Sequence, residues 1–301
     1  MTQATQEPLA PALDSALRKL DHVAVVGGNG MLGRAFQELL AGRVEHAVFG
    51  KERLDITDAT SLRRCAMGPW KTYINCAAFT DVDGAETNEQ GAMALNATGV
   101  ALLAKTCREA GATLVHFSTD YVFDGQATTP YATRHRRAPV GVYARSKALG
   151  EEAIEREAAQ GLNAMTIRTS WLYAPWGKNF VRTIAKLAKE KPVLRVVSDQ
   201  RGRPTSAEHL ARATVMLLGA GIRGTTHVTD GGECSWFDFA ATIAAKVNTA
   251  CKVTPCTTDE YPRPAKRPAY SVLDLSATEA AVGPMPHWKT NLAAVLPRLE
   301  P

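Results

Sequence analysis

Short β-branched apolar runs alternate with helix-length amphipathic segments through the first 170 residues, and a glycine-rich turn joins the first run to the first helix. These two observations predict an α/β protein of the Rossmann type, a doubly wound parallel sheet with a smaller C-terminal substrate-binding lobe. A third supports them: after Trp171 the rhythm loosens into helices separated by Gly/Pro-rich connections.

Residues 1–20 carry little periodicity beyond LDSALRKL and are expected to form an extension outside the fold. The rhythm begins at His22 with the strand HVAVV, the helix GRAFQELLAG, the strand EHAVF, a helix after Asp58 and the strand KTYINC. A long helical stretch from about Met93 to Ala110, the strand TLVHFS, a helix from Tyr143 to about Ala159 and the strand NAMTIRT follow. Strand–helix–strand units in this order build right-handed crossovers. Weak alternation within the strands suits a sheet covered on both faces. Residues 21–170 are therefore expected to form the NAD(P)-binding unit. Helices near Phe180 to Glu190, Ala207 to Leu218 and Trp236 to Val247, with four prolines between Thr254 and Pro268, place residues 171–301 mainly in the lobe, some elements returning to the sheet.

Composition narrows the class. The chain has 301 residues, is 45% hydrophobic and 22% charged, and carries 35 basic against 30 acidic side chains, a net charge of +5. Such a balance excludes disordered and fibrous classes. No apolar run approaches the roughly 18 residues a membrane helix needs, and the N-terminus lacks a secretory apolar stretch, so the cytoplasm is the expected compartment and no membrane partner is expected. The six cysteines include no CxxC pair, and no histidine pair at zinc spacing accompanies Cys251 and Cys256, so reduced thiols and no metal are expected. Basic residues are dispersed apart from clusters at 134–137 and 263–267, without the aromatic interleaving of a nucleic-acid binder. Small phosphorylated ligands suit the surplus better.

The turn Gly27-Gly28-Asn29-Gly30-Met31-Leu32-Gly33 stands between strand and helix, the context in which glycines cradle a pyrophosphate at a helix N-terminus. Gly27 permits the tight turn, Gly30 the approach of the phosphates and Gly33 close packing of helix on strand. Elsewhere a glycine triplet would serve any loop needing positive φ. The spacing is GxxGxxG, and after the second strand Lys51 and Arg53 flank Glu52 where a carboxylate would hold the ribose of NAD. NADPH is therefore the expected cofactor, with NADH possible.

Tyr143 and Lys147 stand four residues apart in a helical segment and so share a face. A phenol of pKa about 10 needs help to act near neutrality, and a nearby ammonium stabilises the phenolate. The helix follows a strand ending in Ser118-Thr119, at the edge where such sheets bind ligands. Thr119 can hydrogen-bond a carbonyl beside Tyr143, completing a hydroxyl–phenol–ammonium set for ketone reduction.

From Val23 to the C-terminus the sequence resembles the dTDP-4-dehydrorhamnose reductases, a branch of the extended short-chain dehydrogenase/reductases. The resemblance rests on GGNGMLG, NCAAFTDVDGAE (Asn75 to Glu86), STDYVFDG (Ser118 to Gly125), Tyr143 with Lys147 and Gly150-Glu151, RTSWLY (Arg168 to Tyr173), GKNF (Gly177 to Phe180), DQRGRPTSA (Asp199 to Ala207) and YPRPAKRP (Tyr261 to Pro268). It implies hydride transfer from NAD(P)H to the C4 ketone of a dTDP-linked 4-keto-6-deoxyhexose. Tyr143 would donate the proton, Lys147 would lower its pKa and hold the nicotinamide ribose, and Thr119 would orient the carbonyl. Met31, Leu32, Asp55, Ile56, Ala77 and Ala78 would join the glycines at the cofactor. Asp120, Tyr121 and Trp171 would line the sugar pocket, and Asn179 and Arg267 would meet the diphosphate. Where some members carry a glutamate at a magnesium site between subunits this chain has Ala35, and monomer and homodimer stay open. Ala144 and Ser146 are milder departures. Two other readings use the same residues: an NAD-retaining sugar-nucleotide epimerase or dehydratase, and a noncatalytic NADP-binding regulatory subunit.

Overall fold

The computed structural model describes residues 10–300. Five short strands, β1 (Val23–Val26), β2 (His46–Phe49), β3 (Thr72–Asn75), β4 (Thr113–Thr119) and β5 (Ala164–Thr169), join the edge strand Gly224–His227 in one sheet. Every pairing is parallel, and the order is Gly224–His227, β5, β4, β3, β1, β2. The chain winds outward from β1 to β2 and then returns to place β3 on β1's other side. Crevices open at the carboxyl ends of strands that straddle such a reversal.

Alternate residues feed two cores. Val23, Val25, Ile74, Val115 and Ile167 face α2 (Met31–Leu40) and a later helix, whereas Ala24, Val26, Tyr73 and Leu114 face the opposite layer. All four residues of β1 are fully buried, as a strand covered on both faces requires. The opposite layer holds α3 (Ala59–Ala66), capped by Asp58, then the short α4 (Val82–Ala85) and α5 (Glu89–Met93), α6 (Val100–Glu109) and α7 (Val142–Ala158).

The long helix expected from Met93 to Ala110 is interrupted. Residues Ala94–Gly99 make a π-turn before α6 begins. Asn96 within it uses its side chain to bind Phe79 N and O, at 2.9 and 3.0 Å, and the Ser146 hydroxyl at 3.0 Å. These bonds tie the turn to α7. Gly150 of α7 lies so near that a Cβ there would sit 2.3 Å from Asn96 O.

Beyond β5 the chain forms α8 (Phe180–Glu190), α9 (Ala207–Gly219) and α10 (Trp236–Val247). Tyr173, Val181, Ile184, Phe239, Ile243 and Trp288 build a third core apart from the sheet. Helix α9 instead covers the sheet beside α2.

The expectation that residues 1–20 lie outside the fold fails for the part described. Ala10–Leu17 form a helix, α1, that packs on α9 with Leu13, Ala16 and Leu17 buried in the main core. Lys19 Nζ then donates to the last carbonyl of α9, Gly219 O, at 2.8 Å. The apolar spacing of Leu13, Ala16 and Leu17 is the helical signal for this docking. Residues 1–9 of the expected extension lie outside the described residues. No helix among the described residues is long and apolar enough to cross a membrane.

Candidate active site

The glycine turn closes against the end of β3. Gly27 has φ +78°, and a Cβ there would lie 2.5 Å from Ala77 N. A Cβ at Gly33 would lie 2.5 Å from Gly27 O, so this glycine lets α2 pack on the turn itself rather than on the strand. At Gly30 the nearest atom to a Cβ is 3.3 Å away. The protein itself therefore crowds this position least, which leaves it open to a ligand's approach. Gly30 caps α2 with no side-chain bond, so the first N–H groups of the helix are free to meet an anion.

Two clefts meet at this turn. One, of about 510 Å³, runs from Gly27 and Gly30 past Lys51, Asp55 and Ile56 to Ala77 and Ala78. Asp55 is held by Thr57, whose hydroxyl and backbone N–H donate to its Oδ1 at 2.7 and 2.9 Å, and the hydroxyl bond keeps its carboxyl below the usual range. Lys51 stands at the rim, 86% exposed. Arg53 does not line this cleft: its guanidinium lies over the Phe49 ring, 5.1 Å from the centroid, and donates to Val48 O at 3.4 Å.

The second cleft, about 450 Å³, gathers Gly30, Met31 and Leu32 with Thr119, Asp120, Tyr121, Tyr143, Lys147 and Trp171. Helix α7 reaches it because Gly141, at φ +88°, turns the chain and Glu86 Oε1, at the end of α4 in the same layer, accepts from Val142 N at 2.8 Å and caps the helix. Tyr143 and Tyr121 meet edge to face, their centroids 6.1 Å apart. Thr119 accepts from Tyr121 N at 3.2 Å and donates to Asp120 Oδ1 at 3.0 Å.

Burial sets the electrostatics. It pushes the Tyr143 phenol up to about 12, against the hydroxyl of Thr119 and the more distant Arg267, with Asp120 adding to the rise. The same cause carries Asp120 up to about 7 and brings Lys147 down to about 8, Glu151 opposing the latter. Desolvation is thus the largest influence on the phenol. Lys147 is 2% exposed, and its Nζ donates to Phe117 O at 2.6 Å and lies 3.2 Å from His116 Nε2. Beneath the helix, Glu151 binds Arg168 through two bonds of 2.9 and 2.7 Å and Arg137 through one of 2.9 Å.

A third cavity, also about 450 Å³, adjoins the second and shares Val82, Tyr121 and Trp236 with it. Arg267 lines it, bound to Asp83 at 2.9 Å, while its Nη1 is buried without a partner. Trp171, at φ +47°, stacks on Trp236 with centroids 3.6 Å apart.

Asn179 is not part of these cavities. Its amide nitrogen donates to Ala174 O and Trp176 O at 3.0 and 3.1 Å, and its Oδ1 accepts from Arg182 N at 3.2 Å, capping α8. An asparagine just before a helical segment is a capping signal in its own right, and here that local role displaces the expected diphosphate contact. Sequence reasoning also passed over Asp83, Glu86, His116 and Trp236. The first two lie inside the family-like run NCAAFTDVDGAE, whereas nothing local marks His116 or Trp236. Ala35 lies in a separate hollow of about 550 Å³ formed largely by α1, α2 and α9, away from Tyr143. Among the described residues no group of three His, Cys, Asp or Glu side chains is placed to hold a metal.

The parallel sheet, the glycine turn at its reversal and the Thr119, Tyr143 and Lys147 set around one cleft define a Rossmann-type protein of the extended short-chain dehydrogenase/reductase class. The chain belongs to the family described as RmlD substrate binding domain, whose model matches residues 21–300. A dTDP-4-keto-6-deoxy-D-glucose reductase of Streptomyces niveus is 38% identical over 283 residues, covering 93% of this chain and 98% of its own length. The dTDP-4-dehydrorhamnose reductase of Mycobacterium tuberculosis is 38% identical over 286 residues, 92% of either chain. The crystal structure of dTDP-4-dehydrorhamnose reductase from Bacillus anthracis in complex with NADP is 36% identical, with a TM-score of 0.87 over 91% of this chain and 98% of that one.

Proposed function

We propose that this protein reduces the C4 ketone of a dTDP-linked 4-keto-6-deoxyhexose with NADPH. The observation that carries the reading is the cleft that brings the Tyr143 phenol together with Thr119 and the open edge of the glycine turn, where burial keeps that phenol protonated. A phenol in that state is an acid, suited to meeting an alkoxide as it forms.

The uncapped start of α2, Gly30 and the alanines after β3 fit a dinucleotide pyrophosphate, and Lys51 at the rim suits a 2′-phosphate. When bound, NADPH supplies the hydride. Tyr143 gives its proton to the oxygen that becomes the new hydroxyl, and Thr119 steadies that oxygen beforehand. Trp171, stacked on Trp236, offers an apolar wall to the sugar, and the unpartnered Arg267 Nη1 is a donor for the diphosphate.

The relatives' names agree with this reading. The test is loss of NADPH absorbance when dTDP-4-keto-6-deoxyglucose or its 3,5-epimer is added. Tyr143→Phe is expected to lose turnover by 100-fold or more, on the order of what a positioned acid contributes. Equal NADPH oxidation by both proteins would remove Tyr143 from this role.

A further inference from the structure

A hydroxyl has one proton to give and two lone pairs with which to accept, and the surroundings of Thr119 account for each. Its oxygen accepts from Tyr121 N at 3.2 Å and lies 3.0 Å from Asp120 Oδ1. The same hydroxyl acts on the Tyr143 phenol, in the sense that favours the phenolate, and Thr119, Asp120 and Tyr143 line one cleft. Asp120 is 2% exposed, and its Oδ2 is buried without a partner. For as long as Asp120 is ionised these bonds conflict with the role of Thr119. A carboxylate only accepts, so it claims the hydroxyl proton and leaves Thr119 nothing to donate to a substrate oxygen or to Tyr143. A protonated carboxyl reverses the bond: Asp120 donates to the second lone pair of Thr119, whose own proton is freed toward Tyr143.

We infer that Asp120 is the proton source of a relay, from Asp120 through Thr119 to Tyr143, that refills the phenol as the ketone is reduced, and this inference rests on the proposed reaction. As hydride adds to C4, the carbonyl π electrons pass to the oxygen, which takes the Tyr143 proton. The phenolate takes the proton of Thr119, and Thr119 takes that of Asp120, one O–H bond breaking and one forming at each transfer. Asp120 is left a carboxylate and regains a proton from water after the product leaves.

The energetics run in that direction. Burial pushes the Asp120 carboxyl up to about 7, against the hydroxyls of Ser271 and Thr119, and the phenol up to about 12, so the phenolate holds the proton more tightly than the carboxylate does. The titratable neighbours are Tyr121 on the same short turn and Tyr143 on α7, both neutral through this range. Of the cations near the cleft, Arg267 is bound to Asp83 at 2.9 Å and Lys147 to Phe117 O at 2.6 Å, so neither pairs with Asp120. Lys178, on the loop before α8, lines the same cleft. The relay is therefore loaded chiefly below pH 7 and empties above it.

The full-length chain labelled with 13C-aspartate tests it together with a pH–rate profile. The Asp120 carboxyl resonance, assigned by its loss in Asp120→Asn, is expected to titrate near pH 7. With NADPH saturating, kcat/KM for the keto sugar is expected to fall as pH rises through the same transition. Asp120→Asn can still donate a hydrogen bond to Thr119 but has no proton to pass on, and is expected to lower the rate about tenfold or more and to abolish this fall. Asp120→Glu keeps the acid and is expected to show the fall at a different pH, a change that a packing role alone does not produce. A wild-type carboxyl that titrates in the ordinary aspartate range overturns the relay while the reaction stands, as does a fall that persists in Asp120→Asn or is unmoved in Asp120→Glu. No turnover of either keto sugar by the wild type overturns the proposed reaction, and the relay with it.

Discussion

Asp83 Oδ1 holds Arg267 Nη2 at 2.9 Å while Arg267 Nη1 stays buried without a partner. One half of the guanidinium fork is anchored to α4, and the other half is left over for something the protein does not itself supply. Asp83 Oδ1 also accepts from Ala265 N at 3.3 Å, so a single carboxylate fixes both the arginine and the strap that carries it.

Arg267→Ala is therefore expected to raise KM for the nucleotide sugar about tenfold or more with kcat changed far less, because the lost bond is made equally before and during reaction. Arg267→Lys is expected to recover little of it, since an ammonium cannot bind Asp83 and a diphosphate in one plane. Initial rates at varied substrate check both statements.

Asp120 pits stability against activity. Burial takes its carboxyl from 3.8 up to about 7. Between about pH 4 and pH 7 the folded chain holds a proton there that the unfolded chain has released, so this residue's contribution to stability falls as pH rises through that window. Asp120→Asn is expected to be nearly neutral at pH 4 and to stabilise by roughly 4 kcal/mol at pH 8. Turnover should fall in the same variant. Urea unfolding at the two pH values, beside a rate assay, measures both.

Removing Glu151 leaves Arg168, itself 2% exposed, as an uncompensated buried cation. Glu151→Ala is expected to cost about 3–5 kcal/mol. The Arg168 bonds hold the Glu151 carboxyl below its ordinary range despite burial. The stability it adds is present above about pH 4.5 and is lost as pH falls through its folded value. Chemical denaturation at neutral and acid pH distinguishes this from simple loss of packing, which is pH-independent.

Gly27→Ala places a methyl group 2.5 Å from Ala77 N at a residue with φ +78°. A cost of about 1–3 kcal/mol and the loss of NADPH binding are expected together, because the strand ends that the methyl group separates also frame the cofactor cleft. Quenching of protein fluorescence by NADPH reads the second effect. Undiminished binding would remove this turn from the cofactor site.

Five of the sheet's six strands were legible because each announces itself locally, as HVAVV and TLVHFS do, and because helices of ordinary length separate them, whereas the edge strand Gly224–His227, reached only after the lobe begins, was not read from the sequence. Tyr143 and Lys147 were legible for the same reason: four residues on one helix fix their own geometry. What escaped depends on partners far away in the chain. The helix of Leu13 and Leu17 has meaning only once α9 lies beside it, and Trp236 becomes a wall only when Trp171 stacks on it. His116 reads as one more strand residue until Asn75 and Lys147 are seen at its two nitrogens. Asn179 erred in the other direction, since a cap is written in three residues and a ligand contact is not.

The docking of α1 on α9 bears on how the chain is made. The segment Ala10–Leu17 must wait until residues 207–219 have been synthesised before it finds its surface. Until then Val23, Val25 and Ile74 lack the full cover of one layer, although the strands they belong to are complete. The opposite layer has no such delay, because α6 and α7 follow directly on the strands they protect. One side of the nascent domain can thus close early, while the other stays open to chaperones and to unwanted contacts until α9 has emerged.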